Sequence, residues 1–392
     1  MEAEAVVFDM RTAVSLVVLS LGAFAIPLMS RPVRLPAAVG EILFGVAVGP
    51  HALRLVVATE FTTLLAHLGF FLLMFVAGLE LDFRRVETAG RAVLFRTGLA
   101  VLAILGAGVA ASVLMGLPVF MGLVLSAISI GLPLVLLQET GLARHAFGQD
   151  VLLLGSLGEL ACILLATGVN AYARVGAFNR EFLSELGQLG FVFALAYGIL
   201  IVLRTAVWWK AESFARVVET HDPSEIGVRA GLALMFVFVA VTSALRIDPI
   251  LGAFLAGALF SFVFRHKGPL EVKFLSLANG FFVPFFFITV GLEFDLPLAM
   301  NSEPLMFGQL LLALLLVRLL PMLAVWGRDA RTATLGGFVL AAPLTLLVVL
   351  ANLGRNLHVL DAQLHATTLL LATVSAVLYP FLFKVTARRV TG

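Results

Sequence analysis

Apolar blocks of roughly 20 residues recur along this chain from one end to the other. A helix needs about 20 apolar residues to cross the hydrocarbon of a bilayer. There, only structures that satisfy every backbone N–H and C=O internally are stable. Of the 392 residues, 61% are hydrophobic and 13% are charged, against about 25% charged in an ordinary soluble domain. This excludes a soluble enzyme, a disordered chain, a coiled coil and a nucleic-acid binder. A membrane β-barrel is excluded too, because its signal is alternation within segments of about 10 residues. The lone Cys162 cannot form an internal disulfide and reads as a small helix-packing residue.

The pattern predicts an all-α polytopic membrane protein of about thirteen spans. Their limits are 12–30, 36–56, 61–80, 92–114, 118–137, 150–172, 187–206, 229–245, 248–264, 274–292, 305–326, 334–353 and 364–386. Glu2, Glu4 and Asp9 precede the first span, where a cleaved signal would carry positive charge. With thirteen spans, one set of connections holds 19 of the 26 Lys and Arg residues; the other set, with the N-terminus, holds 6. The positive-inside rule then puts the C-terminus in the cytoplasm and the N-terminus outside. The connection from Arg204 to Arg229 begins at Trp208 and Trp209, and its Lys210, Glu212, Arg216 and Glu219 are spaced for a helix along the membrane surface. Only three residues follow Arg389, so no soluble domain is expected after the spans.

Two segments repeat. Gly131-Leu132-Pro133-Leu134-Val135-Leu136-Leu137 in the fifth span matches Ala341-Ala342-Pro343-Leu344-Thr345-Leu346-Leu347 in the twelfth. The step from the fifth span to the twelfth is seven, an odd number, so the second copy enters from the opposite side. Proline removes a backbone donor and frees the carbonyl one turn earlier. The sequence therefore predicts helix breaks at Gly131, Pro133, Ala342 and Pro343, in two crossed helices of an inverted-repeat transporter.

An ionisable residue deep in a span is a functional candidate by default. Glu159 lies in the middle of the sixth span and can bind a proton or a metal cation. Arg318 lies in the eleventh and cannot deprotonate. It can compensate Glu159 as an ion pair or neutralise the carbonyl end of a half-helix. Glu41, between Gly40 and Gly45, either packs structurally or lines a cavity. Asp82, Asp248, Glu293 and Asp295 fall at span ends and read as interfacial.

With these residues on the page, the chain resembles a known family. Gly40-Glu41-Ile42-Leu43-Phe44-Gly45-Val46-Ala47-Val48-Gly49-Pro50 is similar to a signature of the monovalent cation:proton antiporter-2 family, which includes Kef-type potassium efflux proteins. Segments 71–80, 251–257 and 284–292 resemble it as well, in order along the chain. The resemblance implies a homodimer with two kinds of domain. Residues 1–90 and 229–300 would form the dimer domain, 91–173 and 301–392 the transport core, and 174–228 the linking span and cytoplasmic connection. It implies that Glu159 stands where the family places an ion-binding Asp, and Arg318 where it places a compensating cation. This chain departs from the pattern in having Gly158 before the acid, Ile128 and Ser129 at the fifth-span break, and no acid at the twelfth-span break. The side-chain oxygens at hand are those of Glu159, Ser126, Ser129, Ser156 and Thr345, with carbonyls and water supplying the rest.

The expected function is a monovalent cation (sodium or potassium)/proton antiporter in a prokaryotic inner membrane. Its partners are protons, monovalent cations, lipids and a second copy of itself, with no nucleic acid, cofactor or enzymatic chemistry. With Glu159 as the one alternating acid, exchange is expected to be electroneutral. The competing readings are a transporter of organic solutes or anions, a Kef-type efflux pathway, and a non-transporting membrane partner.

Overall fold

The computed structural model describes residues 10–33, 35–50, 52–56, 59–81, 83–176, 180–209, 225–264, 268–294, 298, 304–326 and 330–391. The expected surface helix at Lys210, Glu212, Arg216 and Glu219 lies outside them, as do Asp82 and Asp295. The helices are α1 (Met10–Val33), α2 (Ala37–Val48), α3 (Glu60–Leu79), α4 (Phe83–Thr88), α5 (Arg91–Leu114), α6 (Val119–Ser126), α7 (Gly131–Glu139), α8 (Ala146–Val175), α9 (Arg180–Trp209), α10 (Ile226–Ala244), α11 (Pro249–Val263), α12 (Gly268–Leu277), α13 (Val283–Leu292), α14 (Pro304–Trp326), α15 (Ala330–Leu340), α16 (Leu344–Asn356) and α17 (Ala362–Thr391). A π-helical stretch, Ala278–Phe282, joins α12 to α13.

Among the described residues, ten helical spans are long and apolar enough to cross a membrane, or eleven when α15 and α16 are taken as one bent span. The expected count of about thirteen is therefore slightly high. The difference is α2 and α11, with 12 and 15 residues. At 1.5 Å per residue these reach about 18 and 22 Å, short of a hydrocarbon core of about 30 Å. The segment expected as 36–56 stays helical only to Val48, and a turn at Gly49–Pro50 follows.

The chain divides into two compact units. The first comprises Met1–Ile26, Val48–Phe83 and Thr167–Leu292. Its centre is the contact of α3 with α11, with α13 on α3 and α10 on α11. Glycines set that contact. A Cβ on Gly257 would lie 1.9 Å from the Phe75 carbonyl oxygen, and one on Gly78 would lie 2.0 Å from that of Phe254. The two helices thus touch backbone to backbone, as small residues permit in membranes. Rings close around the contact, with Phe75 and Phe274 centroids 5.0 Å apart. Asp248 caps α11 by accepting the Ile250 N–H at 3.0 Å, ahead of Pro249 at the first helical position. That is a structural role at a span end.

The second unit comprises Pro27–Ala47, Arg84–Ala166 and Glu293–Gly392. Here α5 packs on α6 and α14, α16 on α17, and α14 on α15. Ile104, Leu137, Met322, Val339, Leu340 and Phe383 are fully buried among them. Two helices in this unit are interrupted. α6 and α7 are separated by residues 127–130, and α15 and α16 meet at a 54° bend at residues 341–343. α7 packs on α15, and α6 on α16, so the first half of each broken helix meets the second half of the other.

Candidate functional site

The first break forms where the sequence denies the helix its hydrogen bonds. Ala127 leaves α6 with φ −53° and ψ 128°, an extended conformation. Pro133 has no N–H to give to the Ser129 carbonyl four residues earlier. Regular bonding resumes when Leu134 donates to Ile130 at 2.9 Å. The unwound stretch is therefore 127–130, and Gly131 and Pro133 lie in the first turn of α7. A proline is tolerated there because a first-turn N–H has no helical partner in any case. At the second break, Ala342 and Pro343 lie within the unwound residues themselves and are buried.

Each end of the first break meets a buried charge. Glu159, in the middle of α8, is 1% exposed. Its Oε1 accepts from the Ser129 hydroxyl at 3.1 Å, and its Oε2 accepts from the Ile130 N–H at 3.0 Å. The carboxylate thus sits on the amide end of α7, where the helix dipole favours negative charge. Arg318, in α14, is fully buried. One of its terminal nitrogens donates to the carbonyls of Leu125, at 2.9 Å, and Leu314; the other donates to that of Ala127. The guanidinium thus sits on the carbonyl end of α6, where the dipole favours positive charge. The expected alternative, a direct Glu159–Arg318 ion pair, is not what forms: each charge is spent on a helix end. Arg318 Nε has no hydrogen-bond partner among the described residues.

The remaining sequence candidates divide. Ser129 touches Glu159 directly. The Ser126 hydroxyl donates to Gly122 at 2.8 Å, and that of Ser156 to Leu152 at 2.9 Å, so both protons turn back onto their own helices. Thr345 is half-buried in the first turn of α16, just past the second break. Glu41 is 4% exposed; it and Glu159 are the only buried acids among the described residues. Cys162, one turn past Glu159, directs its thiol at the Ser126 carbonyl, 3.8 Å away.

Sequence reasoning did not find several participants. The Ile130 amide and the carbonyls of Leu125 and Ala127 are backbone groups with no side-chain signature. Ile128 is a further one. A Cβ on Gly158 would lie 2.7 Å from Ile128 Cδ1, so this isoleucine fills the space that any side chain preceding Glu159 would need. The site is one acid, a hydroxyl and an amide behind an apolar wall, occluded from water. A carboxylate held only by neutral donors can accept a proton or a monovalent cation, one at a time.

Comparison with known proteins adds the following. Residues 16–389 match the family described as sodium/hydrogen exchanger, transmembrane. A Bacillus subtilis protein named as a Na(+)/H(+) antiporter, YjbQ, is 30% identical over 396 aligned residues, covering 94% of this chain and 62% of its own length. The chain thus spans somewhat under two thirds of that relative. The Na(+)/H(+)-K(+) antiporter GerN of Bacillus cereus is 26% identical, over 66% of this chain and 65% of its own length. The solved structure of the sodium proton antiporter MjNhaP1 from Methanocaldococcus jannaschii at pH 8 has the same fold, with a TM-score of 0.66 at 14% identity, over 98% of this chain and 99% of that one.

Proposed function

The chain belongs to the sodium/hydrogen exchanger family, and from that membership we propose that this multi-pass membrane protein exchanges protons for sodium or potassium by alternating access. The observation that carries the reading is the setting of Glu159: a buried acid on the amide end of a broken helix, with no counter-ion among the described residues. A fixed ion pair would hold the carboxylate charged throughout a cycle. Hydrogen bonds from Ser129 and Ile130 leave it free to take a proton from one side and give it up to a cation from the other. Arg318 supports a cation site and not an anion site, because its charge is committed to the carbonyls of Leu125, Ala127 and Leu314.

In this mechanism the cation binds Glu159 with Ser129 and with carbonyls of the unwound residues that Arg318 does not hold. Thr345 and water complete the shell. Glu159 is 1% exposed, so the cycle needs a conformational change that opens it to each side in turn. Residues 91–173 and 301–392, which hold Glu159, both breaks and Arg318, are the ion-carrying core; 1–90 and 229–300 are the dimer scaffold, and 174–228 link the two. The N-terminus is outside and the C-terminus cytoplasmic, in a prokaryotic inner membrane. One alternating carboxylate gives one-for-one, electroneutral exchange. Proteoliposomes loaded with a pH dye and given sodium or potassium pulses test this. Cation-dependent proton movement that is lost in Glu159→Gln is the expected result.

A further inference from the structure

Two of the four unwound residues at the first break are isoleucines, and both turn onto α8 beside the acid. A Cβ on Gly155, one turn before Glu159, would lie 3.6 Å from Ile130 Cγ1, an ordinary contact. The fit at Gly158 is far tighter. There a Cβ would meet Ile128 Cδ1 at 2.7 Å, Cβ at 3.0 Å and Cγ2 at 3.2 Å. Apolar carbon thus occupies space next to Glu159 that a further oxygen ligand would use. The oxygens that remain follow from the hydrogen bonds of the break. The carbonyls of Leu125 and Ala127 hold Arg318, that of Ser126 faces the Cys162 thiol, and that of Ile130 accepts from Leu134. The Ser126 and Ser156 hydroxyls donate within their own helices. Left without a donor among the described residues are the carbonyls of Ile128 and Ser129. Pro133, which has no N–H, accounts for the second. The protein oxygens open to a cation at Glu159 are therefore few: the carboxylate itself, the Ser129 hydroxyl and these two carbonyls, before Thr345 and water are added.

We propose that Ile128 sets which cation this site accepts: wedged against Gly158, it keeps the shell at Glu159 too small for potassium, so that sodium and lithium are the ions bound. The proposal rests on the reading of Glu159 as the cation site. An alkali cation binds by trading its hydration shell for protein oxygens, and the number and field strength of those oxygens decide between sizes. Coulomb attraction grows as the ion comes closer to the carboxylate. Where one carboxylate dominates a small shell, the smaller ion gains most. Potassium gains less from Glu159 and needs more oxygens, set farther apart, than Ile128 leaves room for. Trimming Ile128 removes that limit. The space it opens adjoins Glu159 and the two free carbonyls, polar groups that can hold a buried water. That water is the oxygen potassium lacks. Discrimination by one or two methylene groups in a pocket wall is worth roughly tenfold or more.

Two readouts separate this proposal from the antiport reading. The first needs no transport. Purified protein in detergent is melted in lithium, sodium, potassium or rubidium chloride, at constant ionic strength and at a pH alkaline enough that protons no longer compete. A cation that binds only the folded protein raises the melting temperature once its concentration passes its Kd. In the wild type, sodium and lithium should do so at concentrations roughly tenfold or more below potassium. Ile128→Ala should bring potassium level with sodium. Ile128→Val, a milder cut that keeps the branched shape, should fall between. A packing role alone would lower every melting curve and leave the sodium-to-potassium ratio unchanged. Glu159→Gln should lose the stabilisation by every ion. The second readout is cation-driven proton flux in proteoliposomes with the same ions and variants. Ion-selective melting without flux would contradict antiport and leave the Ile128 assignment standing. Equal stabilisation of the wild type by sodium and potassium, stabilisation by neither, or a ratio that both Ile128 variants leave unchanged overturns the assignment, whether or not the vesicles exchange ions. Stabilisation that survives Glu159→Gln would put the cation elsewhere and sink both.

Discussion

Arg318 and Glu159 share one interrupted helix without touching each other: the guanidinium holds the carbonyl end of α6, and the carboxylate holds the amide end of α7. The four unwound residues between them are stabilised from both sides. Each half-helix end carries roughly half an elementary charge of the sign its partner neutralises. The arrangement separates two roles. Arg318 is fixed to the backbone of α6, whereas Glu159 is held by two neutral donors and can change its charge.

Removing Arg318 should therefore act on the fold first. Arg318→Leu leaves buried carbonyls without donors, at roughly 1–3 kcal/mol for each buried group left unsatisfied. A lower melting temperature in detergent and little surviving exchange are expected. Arg318→Lys keeps the charge but lacks the planar fork that reaches Leu125 and Ala127 together. It should fold and retain a reduced but clear activity. Wild-type stability and flux in Arg318→Leu would mean that the helix end needs no cation.

Gly158 is expected to tolerate no side chain while Ile128 is present. Gly158→Ala drives its methyl into Ile128, and overpacking of this kind costs about 1–3 kcal/mol. Ile128→Ala should restore most of the loss in the double variant, which a thermodynamic cycle on melting or denaturation measures directly. Additive effects of the two substitutions would show that the contact is not the source of the cost.

Stoichiometry follows from how many acids alternate. Sodium-coupled proton exchange in vesicles clamped with potassium and valinomycin should reach the same final cation gradient at every potential, as expected for one carboxylate. Glu41→Gln should leave that independence intact and retain part of the flux. A gradient that follows the clamp in the wild type but not in Glu41→Gln would make the second buried acid a transported-proton carrier.

Much of this was legible in the sequence because hydrocarbon imposes coarse rules. Continuous apolar runs gave most of the spans, although the run expected at 36–56 is helical only over Ala37–Val48 and that expected at 187–206 begins at Arg180. Paired prolines pointed to both interrupted helices. Glu159 and Arg318 stood out as charges in apolar surroundings. What was not legible depends on groups without a side-chain signature or on fine geometry. The first break lies N-terminal to Gly131, because Pro133 withholds its N–H one turn back, from Ser129. The Ser126 and Ser156 hydroxyls donate to carbonyls of their own helices, an orientation that the sequence does not display. Whether Arg318 would face Glu159 or a helix end depended on which backbone α14 packs against, and two separate stretches of sequence do not reveal that.

The central claim is that Glu159 is the group that protons and cations share. Glutamine keeps the shape: its oxygen can accept from the Ile130 amide while its nitrogen donates to the Ser129 hydroxyl, so the break should stay intact. The direct measurement is cation-driven proton flux through purified protein in proteoliposomes, wild type against Glu159→Gln, with equal incorporation and matched melting curves. The account predicts sodium- or potassium-dependent flux in the wild type and none above empty liposomes in the variant. Undiminished flux in well-folded Glu159→Gln would contradict it.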